Sequence, residues 1–187
     1  ANGGRRAVLA GSILTSGLAG MLGQLVLVLM YQNTFGRLYQ AMGVLFALYM
    51  VGLVIGSGLS TGRVRTQAHR AKALLGLRGL MAATSIVAAI LASTGIMASL
   101  FLTVFLYALV FGLEYPVANR VYQEDLAGTR AAGILHAMDH LGASLATFVG
   151  ATLLLPLTGP RALLFALAAL HLIVLSALAP VLIRTSP

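Results

Sequence analysis

Cysteine and tryptophan are both missing from this chain of 187 residues, and charged side chains make up only 9% of it. Without cysteine there is no disulfide framework, no thiolate nucleophile and no cysteine-ligated metal site, and cysteine usage gives no redox compartment. Acidic groups are scarce as well, four against twelve basic ones. Nothing in the chain reads as a nucleophile elbow, a phosphate-cradling loop or a Glu-rich helix pair of the di-iron type, so an autonomous enzyme is not expected.

What is abundant is apolar surface. Hydrophobic residues make up 59% of the chain, more than one soluble core of this size hides without leaving large exposed patches. The solvent must therefore be largely lipid. About 20 apolar residues cross a bilayer as a helix, and lipid forbids unpaired backbone. The long apolar runs predict an all-α integral membrane protein, a bundle of about six transmembrane helices forming a single transmembrane domain over 1–187. The spans lie near 7–31, 40–60, 73–94, 97–118, 131–156 and 161–183. Tight connections, STG and TGP, make the third and fourth spans, and the fifth and sixth, antiparallel hairpins. The opening ANGGRR lacks an initiator Met and a cleavage pattern, which suggests part of a longer chain.

The net charge of +8 needs no nucleic acid if the bases fall on one side. An N-terminus in the cytoplasm puts Arg5, Arg6, Arg63, Arg65, Arg70, Lys72, Arg120, Arg130 and Arg184 there, with Arg78 close enough to reach it. Arg37 and Arg161 alone fall outside. This is the asymmetry of the positive-inside rule, and it makes TGRVRTQAHRAK a cytoplasmic loop resting on anionic headgroups. Small residues recur in three ridges, Ser12/Ser16/Gly20, Gly52/Gly56 and Gly142/Ala146/Gly150, as close helix approach requires.

Three stretches resemble the membrane region of the polytopic spermidine-synthase-like proteins. They are LTSGLAGMLGQLVLVLMYQNTFGRLYQAMGVLFALYMVGLVIGSGLS, then GLEYPVANR, then AMDHLGASLATFVGATLLLPLTG. The similarity runs from about residue 12 to about residue 175, and its most specific parts are the Gly-rich second helix and a Glu-Tyr-Pro turn paired with a later Asp-then-Gly helix. The resemblance implies a membrane region similar to half of a major-facilitator transporter, which in relatives accompanies a soluble aminopropyltransferase-type domain. That soluble domain is absent from these residues, so no enzyme activity comes with it. The loop GLSTGRVR matches the facilitator signature in position and basicity but lacks its acidic residue. Partners are expected to be the lipid bilayer, other membrane subunits or a second helical half, and such a soluble domain; a bacterial inner membrane is the expected location.

Ionisable groups inside a span cost about 2.5–3.5 kcal/mol on insertion scales and usually face other helices or water. Arg78, Glu114, His136, Asp139, His140 and His171 are the candidates. Arg78, Glu114 and His136 count to a similar shallow depth, where Arg78 and Glu114 would form an ion pair. His136, Asp139 and His140 fall at i, i+3 and i+4, on one helix face. One reading makes Asp139 a structural lock that accepts hydrogen bonds or pairs with a cation. A second makes Glu114 and Asp139 a cation, proton or polyamine-like site, because amines need paired acids. A third uses His140 with His171 for a metal or haem in a redox-associated subunit, although no cofactor is otherwise expected. Gln24, Gln32 and Tyr115 would line any of these sites, or serve as interhelical bonds and, for Tyr115, an interfacial anchor.

Overall fold

A computed structural model describes residues 2–36, 39–61, 67–92, 94–124 and 128–183, and of residues 2, 61, 67 and 68 the backbone alone. Arg37, Arg63, Arg65 and Arg184 lie outside the described residues. The helices are α1 (Asn2–Phe35), α2 (Tyr39–Thr61), α3 (Gln67–Leu91), α4 (Met97–Gln123), α5 (Gly128–Leu145), α6 (Leu155–Thr158) and α7 (Pro160–Ile183), with a π-helical stretch, Ala146–Leu154, joining α5 to α6. No strand occurs among the described residues. With α5, the π stretch and α6 forming one continuous rod, six helices among the described residues are long and apolar enough to cross a membrane. The protein is an all-α membrane bundle.

Three expectations need correction at helix ends. Gln67 to Lys72 open α3 rather than lying in a loop; Ala, Gln, Arg and Lys are all good helix formers. Glu114, Tyr115 and Pro116 form no turn but sit inside α4, which continues to Gln123. Proline costs the helix one N–H and crowds the carbonyl four residues back, which here belongs to Gly112. The fifth and sixth spans meet only near their connection at Gly159 (φ 80°) and then part, because α7 packs against α3 and α1 instead.

The helix α1 is the most enclosed span, 67% buried, with α5, α7, α4 and the π stretch around it. Packing elsewhere pairs α2 with α4, and α3 with both α4 and α7. This set of neighbours is unchanged if α1, α2 and α3 are exchanged with α4, α5 and α7. Two crossings show the equivalence in atomic detail. A Cβ on Gly17 of α1 would strike the carbonyl of Asp139 on α5, and one on Gly112 of α4 would strike the carbonyl of Leu53 on α2. Reciprocally, a Cβ on Gly142 would meet Leu14 O and Leu18 N, and one on Gly56 would meet Leu109 O and Leu113 N. Leu14, Gly17 and Leu18 thus correspond in spacing to Leu109, Gly112 and Leu113, and Asp139 and Gly142 to Leu53 and Gly56. The bundle is two triplets sharing one packing scheme. Each triplet has an odd number of spans, so across a bilayer the two run in opposite senses.

Candidate functional site

The deepest polar cluster is built around Arg78, which is wholly buried. Its Nη2 lies 2.6 Å from Glu114 Oε1 and donates to Ser16 Oγ at 2.7 Å and to the Ser12 carbonyl. Its Nη1 reaches Thr15 Oγ1 at 3.4 Å and His171 Nδ1 at 3.3 Å. Ser16 Oγ in turn donates to Glu114 Oε2 at 2.5 Å. Four helices, α1, α3, α4 and α7, are joined through one guanidinium. Breaking such a pair strands a charge in low dielectric, which typically costs about 3–5 kcal/mol.

This arrangement alters two expectations. Arg78 does not reach a headgroup: it lies roughly nine residues, or about 14 Å, inside the span that begins at His69. The helices are locked through the Arg78–Glu114 pair and not through Asp139 alone. Ser16 was legible only as a small ridge residue, yet its hydroxyl bonds both Arg78 and Glu114, and Ser12 contributes its backbone carbonyl, which no side chain announces.

Beside this cluster lies a cavity of about 330 Å³, bounded by α1, α2, α4 and α5. It therefore sits where the first triplet meets the second. Glu114, Asp139, Gln24, Tyr115 and Ser16 line it together with Tyr49. The remaining wall is mostly apolar, with Met21, Met50, Leu53 and Phe111 among its residues. Tyr49 donates to the Gly20 carbonyl at 3.0 Å, which fixes its ring as a wall.

The two carboxylates in this cavity differ in state. Glu114 is 1% exposed and already neutralised by Arg78. Asp139 has a side chain 36% exposed, and its contact of ion-pair type is with the His140 ring on its own helix, whose Nδ1 lies 3.9 Å away. Gln24 is 4% exposed, and its side-chain Nε2 has no hydrogen-bond partner among the described residues.

The histidines divide. His171 is fully buried, held between Arg78 and the edge of Phe111, whose ring centroid is 5.6 Å away. His136 and His140 lie on the exposed side of α5 with ring centroids 4.0 Å apart, and His140 Nδ1 lies 3.1 Å from the His136 carbonyl. His140 and His171 thus have different neighbours, and no group of three or more His, Asp or Glu suited to a metal occurs among the described residues. Gln32 joins α1 to α2 through Met42 Sδ at 3.1 Å and does not line the cavity.

At the end of the bundle that carries the N-terminus, Glu124 is held by Arg5 at 3.1 Å and Arg70 at 3.5 Å. The starts of α1 and α3 and the end of α4 therefore share one side, while Arg161 bonds the Ala89 carbonyl at the other end of α3. Compared with known protein families, curated proteins and solved structures, the chain matches none.

Proposed function

We propose that this chain is a transporter-like membrane subunit that binds a small cation at Asp139, in the cavity between its two triplets. The observation that carries the reading is the contrast between two equivalent positions. Asp139 and Leu53 each place a backbone carbonyl over a facing glycine in matching crossings. Packing is served by leucine at one of them, so the fold has no need of a carboxylate at the other. A charged group inside a span is costly and marks a pathway or a ligand when no structural partner claims it. Cation sites at the junction of oppositely oriented repeats are a recurrent transporter design.

The resemblance to spermidine-synthase-like membrane regions supports the same reading. The subunit would work with a second helical half or with a soluble aminopropyltransferase-type domain, in a bacterial inner membrane. The basic residues gathered near Glu124 support a cytoplasmic N-terminus.

The test uses the full chain in lipid nanodiscs and equilibrium dialysis with labelled 4-phenylbutylamine. Saturable binding should weaken by at least about tenfold in Asp139→Asn, which keeps the shape and loses the charge. Equal binding by both proteins would overturn the reading.

A further inference from the structure

Resting on that reading, we infer that the ligand class is an amphiphilic monoamine with a neutral hydrogen-bonding group at its far end, rather than a polyamine. The first argument is charge. Two carboxylates line the cavity, but Glu114 is already matched by Arg78 at 2.6 Å and by Ser16 at 2.5 Å. One carboxylate, Asp139, remains to pair with a ligand ammonium. A second or third ammonium would lie against an apolar wall without a counter-charge, at a desolvation cost the site does not offset.

The second argument is Gln24. It is 4% exposed, it lines the cavity, and its amide nitrogen has no partner among the described residues. A buried amide left unmade is costly. It therefore favours a ligand group that completes it. Whichever way the amide is turned, it offers a neutral group to a hydroxyl or carbonyl, not a charge.

The third argument is spacing. Gly17 lies against the backbone of Asp139, and Gln24 is two turns further along α1, about 10 Å at 1.5 Å per residue. Between them Phe111 and Tyr49 close on Gly20, where an added Cβ would lie 3.1 and 3.2 Å from them, and the wall left open to a ligand is Met21, Met50 and Leu53. A hydrophobic or aromatic body suits that wall, since methionine side chains accept both apolar groups and aromatic faces.

The experiment measures binding of three probes to the full chain in nanodiscs: 4-(4-aminobutyl)phenol, 4-phenylbutylamine and spermidine. We expect the phenol to bind roughly three- to tenfold tighter than the phenyl compound, as one net hydrogen bond allows, and spermidine at least about tenfold weaker than the phenol. In Gln24→Leu the phenol's advantage over the phenyl compound should disappear. Gln24→Glu should raise spermidine affinity by supplying the missing second acid. If spermidine binds the unaltered protein best, or Gln24→Leu leaves the phenol's advantage intact, the monoamine assignment is overturned while a cation site at Asp139 still stands. If no probe binds, or Asp139→Asn changes none of them, both readings fall together.

Discussion

Asp139 and Leu53 are structural counterparts: the carbonyl of one closes over Gly17, and the carbonyl of the other closes over Gly112. The same relation carries Gly142 onto Gly56, each set against a carbonyl and an amide of the facing helix. Repeated packing separates what the backbone needs from what a side chain adds. Both crossings need their glycines. Only one carries an acid.

Gly56→Leu and Gly142→Leu should each destabilise the bundle, by more than the roughly 1–3 kcal/mol of ordinary overpacking, because the added side chain meets backbone that cannot turn aside. Gly133 is the control, exposed and with nothing within 4 Å of an added Cβ. Thermal melting in detergent should fall for the first two variants and hold for Gly133→Leu. Equal melting of all three would mean that the crossings are looser than described.

The guanidinium cluster gives a second test. Arg78→Met and Glu114→Met alone should each cost about 3–5 kcal/mol, since each leaves its partner charged and its hydrogen bonds unmade in a buried site. The double change Arg78→Met with Glu114→Met should recover much of that loss, because no charge is left stranded. Additive losses measured by denaturation would show that the two groups do not act as a pair.

Much of this was legible in the sequence, for physical reasons that differ by residue. The apolar runs gave six spans because a bilayer leaves the backbone no alternative to helix. Gly52, Gly56, Gly142 and Gly150 stood out because close helix approach needs small residues. Arg78 and Glu114 were visible as candidates since buried charges seek each other. Pro116 misled: it reads as a turn, yet neighbouring helices allow a membrane helix to continue through it. Ser12 and Ser16 were hidden because a hydroxyl in a helix is more often satisfied by its own backbone, as Ser12 is by the Leu9 carbonyl at 2.7 Å. The state of Asp139 depended on where Arg78 points, and only tertiary packing decides that.

Sidedness is testable because the chain has no native cysteine. Thr129 and Thr158 lie at opposite ends of one span and are both exposed. Cysteines placed there should react with an impermeant maleimide from opposite faces of oriented vesicles, Thr129→Cys from the cytoplasmic face. Reaction of both from one face would contradict a spanning fifth helix.

Asp139→Leu bears most directly on the cation site, read by melting temperature and 4-phenylbutylamine binding on the same preparation. Leu53 shows the geometry leucine adopts in the equivalent crossing, so we predict stability unchanged within about 1 kcal/mol, or raised by removal of an intramembrane charge. Amine binding should be lost. A variant that unfolds while Asp139→Asn stays folded and still binds the amine would contradict the cation site and make Asp139 a structural residue after all.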